Sequence, residues 1–385
     1  MRFFLIFFLL YGGMQAYLAG AVIQAENLTG PDSRLVWGVA LLMTLSPMLL
    51  RRMERLQGAS VLVSSFAWIV FSWMGYAFLF FLVGLAMNFY ELSARLVGLP
   101  MPGAAPAWLA VSMTALALWI YGFHSARNPR VERVSIQSGK LPADYPGLRI
   151  ALISDLHLGM LIGGRSLDRL LDRVAALEPD MLISTGDLID ARAHHLDGLS
   201  ARLAAYRPRL GKFAVTGNHE HYAGLDHALD FHRHAGVQLL RGAWVNVGGI
   251  TLAGVDDPAV LAGPTDEARL LAKLAEDRYV VLLKHQPVIA HGARFDLQLS
   301  GHTHQGQIFP FGFLVKRVYP MIEGLHVLPG GRWLYVSRGT GSWGPPIRVL
   351  APGEITLIEL TGLGQADSLI RKQGGEEYRQ TGRQP

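Results

Sequence analysis

The chain has no cysteine. That excludes a disulfide framework and any metal site built on thiolates. Charge is the second scarcity. Asp, Glu, Lys and Arg make up 17% of the 385 residues, which is low for a wholly soluble chain. Only Arg2, Glu26, Asp32, Arg34, Arg51, Arg52, Glu54, Arg55, Glu91 and Arg95 stand before residue 124. Beyond it, charge density is that of an ordinary globular domain. The net charge of +5 and the isoelectric point near 9.4 do not point to nucleic acid. Much of the positive charge flanks apolar segments, as in the cytoplasmic loops of membrane proteins.

What fills the first third is apolar. Four uncharged stretches run from about Phe3 to Ile23, Leu35 to Leu50, Val61 to Met87 and Trp108 to Phe123. A spanning helix needs about 20 apolar residues. The first and third reach that comfortably, and the second does so if Arg34 and Arg51 snorkel. A single arginine at the start favours a retained first span over a cleaved signal peptide, despite Ala19-Gly20-Ala21. The spans carry no charge, so nothing supports transport or proton relay. The cluster Arg51-Arg52-Met53-Glu54-Arg55 marks the inside. The fourth span then exits inside, before Arg127, Arg130 and Arg133. The expected layout is a membrane domain of about four transmembrane helices over residues 1–125 and a linker over 126–147. A second domain follows over 148–362, then a disordered Gly/Gln-rich tail over 363–385. The expected location is multi-pass in a bacterial inner membrane, with the C-terminal domain in the cytoplasm.

From Leu148 short apolar runs recur, each ending in polar residues. Ile150-Ala151-Leu152-Ile153 leads into Asp155 and His157. Met181-Leu182-Ile183-Ser184 leads into Gly186-Asp187. Phe213-Ala214-Val215 leads into Gly217-Asn218-His219-Glu220. Val280-Val281-Leu282-Leu283 leads into His285, and Leu297-Gln298-Leu299-Ser300 into Gly301-His302-Thr303-His304. Leu167, Leu170, Leu171, Val174 and Leu177 have helical spacing between the first two runs. Strands alternating with helices make an α/β domain, and such domains build sites at the carboxyl ends of strands. Singly, each polar residue has an ordinary explanation as a turn or surface group. Five successive strand ends delivering ligand types do not. His194, His195, His221, His227, His232, His234 and His291 follow no such rule and read as surface or loop histidines.

Carboxylates, an amide and imidazoles together suit Mn, Fe or Zn better than Ca. Phosphate-ester hydrolysis can use two cations about 3.5–4 Å apart. One carboxylate can bridge such a pair, and a further histidine can protonate the leaving oxygen.

The ordered motifs D-x-H, G-D, G-N-H-E, H and G-H-x-H, from Leu148 to Leu360, resemble the calcineurin-like metallophosphoesterase superfamily. The resemblance implies two mixed β-sheets in a sandwich flanked by helices. It also implies two divalent metal ions. Carried over residue by residue, Asp155, His157 and His304 would hold the first. Asn218, His285 and His302 would hold the second, with Asp187 bridging. His219 would be the general acid or a phosphate-orienting residue. Asp190, Glu220, Gln305 and Gln307 would support these groups rather than ligate.

The helical anchor and the stretches "GHTHQGQ" and "SRGTGSWGPPIR" resemble the membrane-associated branch, which includes UDP-2,3-diacylglucosamine pyrophosphatases of lipid A synthesis. The soluble enzymes for that step typically carry Arg where His219 stands. That departure leaves the exact substrate open. Because a soluble substrate would not require a tether, a phosphorylated, lipid-linked substrate and membrane lipids are the expected partners. "IFPFGFLVKR", Ile308 to Arg317, reads either as a loop dipping into the bilayer surface or as a buried strand pair. Arg338 and Arg348, beside glycine-rich turns, are candidates for holding a substrate phosphate, or for surface ion pairs.

Overall fold

The structure is a computed structural model that describes residues 2–57, 60–142, 144–190, 196, 198–260, 267–289 and 294–363. His194, His195, His291 and the expected tail from residue 364 lie outside them. The chain forms two compact units, residues 1–124 with 344–349, and residues 125–343 with 350–385.

The first unit holds four helices, α1 (Arg2–Ala25), α2 (Gly30–Gln57), α3 (Val61–Leu96) and α4 (Ala104–Arg127). Each is long and apolar enough to cross a membrane. Helix α2 outruns its apolar stretch at both ends, because Arg51 to Gln57 contain no helix breaker. Ser60 starts α3, its Oγ accepting the Val63 N–H at 3.2 Å, a side-chain cap for a donor the helix leaves unpaired. Polar side chains on different helices pair. Trp73 Nε1 donates to Gln15 Oε1 at 3.1 Å, and Asn88 Nδ2 donates to the Tyr17 hydroxyl at 2.9 Å. Gly84 lets Tyr17 lie close, since a Cβ there would sit 2.6 Å from the phenol oxygen. Residues Gly344–Val349 belong to this unit. The Arg348 N–H donates to the Gly122 carbonyl at 2.9 Å.

The second unit is built on strands β1 (Arg130–Ser138), β2 (Leu148–Ile153), β3 (Met181–Ser184), β4 (Lys212–Ala214), β5 (Gln238–Leu239), β6 (Ala243–Val247), β7 (Ile250–Gly254), β8 (Val280–Leu283), β9 (Leu297–Ser300), β10 (Gly324–Leu328), β11 (Arg332–Val336) and β12 (Glu354–Gly362). They make two six-stranded sheets, ordered β1-β12-β2-β3-β4-β5 and β10-β11-β9-β8-β7-β6. Both are mixed. In the first, β12 runs antiparallel to β2, and β2, β3 and β4 are parallel. In the second, β7, β8, β9 and β11 are parallel between antiparallel edges.

The pleat explains the layers, since alternate residues face opposite sides. Ile150, Leu152 and Ile183 meet Leu252, Val281, Leu283 and Leu299 between the sheets. Ala151, Ile153 and Leu182 face outward onto α5 (Gly164–Ala175), which buries Leu167, Leu170, Leu171 and Val174. Helices α6 (Leu199–Ala205) and α8 (Leu225–His234) share that outer layer, and α9 (Glu267–Leu271) covers the other sheet. Both faces of the central strands are therefore dry, and these strands read as continuous apolar runs.

Two expectations are corrected here. The stretch 126–147, expected as a linker, contains β1, which pairs with β12 from Arg130↔Glu354 to Ser138↔Gly362. Its buried positions, Val134, Ile136 and Ser138, alternate with exposed or half-exposed polar ones, including Arg133 and Gln137. Charge hid the strand. His232, expected at the surface, is fully buried in α8. Its Nδ1 donates to the Ala228 carbonyl at 2.7 Å, and its Nε2 has no hydrogen-bond partner. A ring in that position is neutral.

Burial lowers the His232 pKa from 6.5 to about 4. Between those values only the unfolded chain takes up this proton, so stability falls on acidification from about pH 6.5 to 4. The contribution is about 3 kcal/mol at the acid limit. His232→Leu should reduce the acid loss by that order. Urea unfolding of full-length wild type and variant in detergent at pH 7 and 4.5 measures it, and equal acid losses would show that His232 is not responsible.

Candidate metal centre

The polar residues follow the carboxyl ends of β2, β3, β4, β8 and β9, drawn from both sheets. The parallel run β2-β3-β4 brings Asp155, His157, Asp187, Asn218 and His219 to one edge, and β8-β9 brings His285, His302 and His304. Among the described residues, three groups able to hold a metal ion result: Asp155 with His157 and His304; Asp187 with His285 and His302; and His157 with Asp187 and His219. Within each, the ligating atoms lie within 4.8 Å of one another. His157 Nε2 is 3.1 Å from His304 Nε2, and His304 Nε2 is 3.4 Å from Asp155 Oδ1. His285 Nε2 stands 3.2 Å from both Asn218 Oδ1 and Asp187 Oδ2, and 3.1 Å from His302 Nδ1. Asp187 and His157 each belong to two groups.

The backbone is bent to do this. Asp155, His157, Asp187, His302 and His304 all have positive φ, between 48° and 72°. Such conformations cost non-glycine residues on the order of 1–3 kcal/mol each and persist only where surroundings enforce them. The motif glycines make room. A Cβ on Gly217 would overlap Asp187 Oδ1, and one on Gly301 would overlap Ser154 Oγ and Asp155 Oδ2. Glu220, at the start of α7 (Asn218–Ala223), is fully buried. Its carboxylate accepts the N–H groups of Asp187, Leu188, Ile189 and Gly217 at 2.7–3.2 Å. It holds the Asp187 turn rather than facing the centre.

The electrostatics suit cations. Burial alone would raise the pKa of Asp155, but the imidazoles of His304, His285 and His157 outweigh it and hold the carboxyl well below its usual range. Asp187 is lowered in the same way, with His285 the strongest counterweight to burial. Burial pushes His157 and His302 down to about 4. The two carboxylates are thus ionised and these two imidazoles neutral near pH 7, the states in which such groups can bind a cation. His285 is pushed up to about 10 because Asp187 overcomes its burial. Its Nδ1 donates to the Thr185 carbonyl at 2.8 Å, leaving Nε2 toward Asp187 and Asn218. A proton at Nε2 and a cation would compete for one place. Oxygen and nitrogen donors without sulfur fit Mn, Fe or Zn.

His219 differs from the rest. Its Nδ1 is 2.6 Å from Asp190 Oδ1, and its N–H donates to Asp187 Oδ1 at 2.8 Å. Burial would lower its pKa, but the hydrogen bond and charge of Asp190 raise it. Two exposed rings flank it, Tyr222 at 5.4 Å and Trp343 at 5.6 Å. Sequence reasoning missed both. Gln307 clamps the Trp343 backbone, donating from Nε2 to the carbonyl at 2.9 Å and accepting its N–H at 2.8 Å. The one available signal was the tryptophan inside "GSWGPP", and spacing alone cannot bring it beside His219.

The two arginine candidates are otherwise engaged. Arg338 pairs with Glu132 and, at 2.6 Å, with Glu354, and Glu323 lies 3.8 Å away. Arg348 is fully buried and belongs to the helical unit. Adjacency to glycine turns placed them near the motifs in sequence. The carboxylates of β1 and β12 claim the first, and the second lies in Gly344–Val349, within the helical unit.

The calcineurin-like phosphoesterase family model matches residues 148–306. A protein named as an uncharacterized metallophosphoesterase from Aquifex aeolicus is 39% identical over 258 residues, covering 65% of this chain and 98% of that one. A metallophosphoesterase of Campylobacter jejuni is 38% identical, covering 62% of this chain and 65% of its own length. A Danio rerio transmembrane protein with a metallophosphoesterase domain is 35% identical, covering 66% and 62%. The chain thus spans slightly under two thirds of the last two relatives. It belongs to the calcineurin-like metallophosphoesterases, metal-dependent hydrolases with a dinuclear centre.

Asp187→Asn should lower the divalent metal bound per chain by at least one equivalent, because Asp187 is shared between groups. Elemental analysis after dialysis measures it in wild type and variant. An unchanged ratio would remove Asp187 from the ligand set.

Proposed function

We propose that this protein is a multi-pass membrane phosphoesterase that hydrolyses a lipid-linked phosphate or pyrophosphate at the cytoplasmic face. The observation that carries the catalytic part is the convergence of Asp155, His157, Asp187, His285, His302 and His304 into groups of ligating atoms within 4.8 Å. The membrane part rests on four helices of spanning length and on their surfaces. Leu35, Val61, Leu62, Phe89 and Leu96 are among many large apolar side chains exposed on them, a face that hydrocarbon would cover. Arginines 51, 52 and 55 at the C-terminal end of α2, with Arg127 at the end of α4 and Arg130 at the start of β1, support the cytoplasmic orientation. A tethered enzyme gains most when its substrate is also in the bilayer. The motif resemblance makes UDP-2,3-diacylglucosamine the first substrate to test, and a bacterial inner membrane the corresponding location.

In this reading Asp155, His157 and His304 would hold one cation, and Asn218, His285 and His302 would hold the other, with Asp187 available to both groups. Bound cations would supply Lewis acidity toward the phosphoryl oxygens and an activated water. Asp190 fixes the His219 ring through Nδ1 and favours its imidazolium. Nε2–H is then the proton available to the departing oxygen. Glu220 keeps the Asp187 turn rigid, and Trp343 with Tyr222 shapes the approach to His219.

The test uses full-length protein in detergent with Mn²⁺. UMP release from UDP-2,3-diacylglucosamine is measured beside an alkyl phosphodiester and a bis-aryl phosphate. His219→Ala should lower kcat by about 10²–10⁴-fold where the leaving group needs a proton, and far less for the aryl ester. Equal losses on both would sink the general-acid role. Turnover of the generic esters alone would leave a broad-specificity phosphodiesterase. No turnover of any ester across Mn²⁺, Fe²⁺ and Zn²⁺ would favour a non-catalytic binding module.

A further inference from the structure

The stretch after His304, read from sequence as a bilayer-surface loop or a strand pair, is neither strand nor buried. It forms α10 (Phe311–Val318), and none of its residues is buried. A surface helix of a globular domain turns its apolar stripe inward. Here Phe313 is 69% exposed, Leu314 65% and Val318 70%, with Phe309 half exposed just before the helix. The rings of Phe309 and Phe313 pack together with centroids 5.9 Å apart. Lys316 and Arg317, both exposed, occupy the last turn.

The helix is fastened to the ligand loop. A Cβ on Gly306 would overlap the Gly312 backbone, and one on Gly312 would lie 3.0 Å from the Gln305 carbonyl oxygen. His304 begins that same turn, His304–Gly306. Helix α4 ends at Arg127 and β1 begins at Arg130.

We propose that α10 lies in the interface of the bilayer that the four helices cross. Phe309, Phe313, Leu314 and Val318 enter the acyl boundary, and Lys316 and Arg317 meet anionic headgroups. Exposed aromatic and aliphatic residues beside a short basic turn are the composition of an interfacial helix. Because α10 packs on the His304 turn, its insertion sets the metal centre beside the membrane surface. A lipid-linked phosphate then reaches it without leaving the bilayer. This inference rests on the membrane reading above.

The cysteine-free chain gives a direct test. Phe313→Cys, Leu85→Cys in α3 and Asp172→Cys in α5 are each labelled with a nitroxide. The full-length variants are placed in nanodiscs containing anionic phospholipid. Accessibility to oxygen and to a nickel chelate is then compared by electron paramagnetic resonance. Positions 313 and 85 should favour oxygen, and position 172 should favour the chelate. A chelate-accessible position 313 beside an oxygen-accessible position 85 would overturn the α10 proposal alone. Chelate access at position 85 would remove the membrane reading, and the proposal with it. As a second measure, the double variant Phe313→Asp/Leu314→Asp should lose tenfold or more in kcat/KM on a lipid-linked phosphodiester in the disc. Its turnover of a water-soluble bis-aryl phosphate should be unchanged. Equal loss on both substrates, or on neither, would count against the proposal.

Discussion

Asp187 carries the constraint on which the rest of the catalytic unit depends. One carboxylate oxygen accepts the His219 N–H at 2.8 Å, and the other lies 3.2 Å from His285. The same side chain belongs to two of the three groups of ligating atoms. Holding an ionised, buried carboxylate there is costly unless positive partners surround it. The surrounding architecture supplies them. Glu220 pins the turn that carries Asp187, and Gly217 leaves no side chain in the carboxylate's way. The parallel run of β2, β3 and β4 fixes the turn beside Asp155 and Asn218.

The second sheet matters for the same reason. One sheet's strand ends provide the carboxylates, the amide and two histidines. The other provides His285, His302 and His304. The groups assemble only because Ile150, Leu152, Val281, Leu283 and Leu299 pack the two sheets face to face. Interior packing is dense enough that such positions shift little. That rigidity sustains positive φ at five ligand-type residues. Strain of this kind gathers at sites whose geometry serves chemistry rather than stability.

The helical unit is joined to this scaffold by more than one stretch of chain. It leads into β1 through Asn128 and Pro129, and it reclaims Gly344–Val349 between β11 and β12. The second connection leaves from Trp343, whose ring flanks His219. An ion cluster secures the strands nearby, since Arg338 gathers Glu132 of β1 and Glu354 of β12. An arginine that looked available in the sequence thus ties the entry strand to the exit strand. Partly buried pairs of this kind are hydrogen-bonded because an unpaired charge there would be expensive.

The sequence by itself determined the elements whose signals are local. Uncharged runs of helical length marked four helices, apolar runs ending in ligand residues marked the core strands, and Leu167, Leu170, Leu171 and Val174 marked α5. Asp155, His157, Asp187, Asn218, His285, His302 and His304 were legible because each follows a strand end, a position set within a few residues. Only the tertiary structure decided what depends on partners far along the chain. β1 is a strand because β12 lies beside it, and its charged residues concealed that. His232 is buried because α8 turns one face onto the first sheet. Arg338 is engaged by carboxylates 206 residues before it and 16 after it. Trp343 reaches His219 across 124 positions, which no local pattern encodes. Periodicity reports which face of an element is apolar. It does not report what will cover that face.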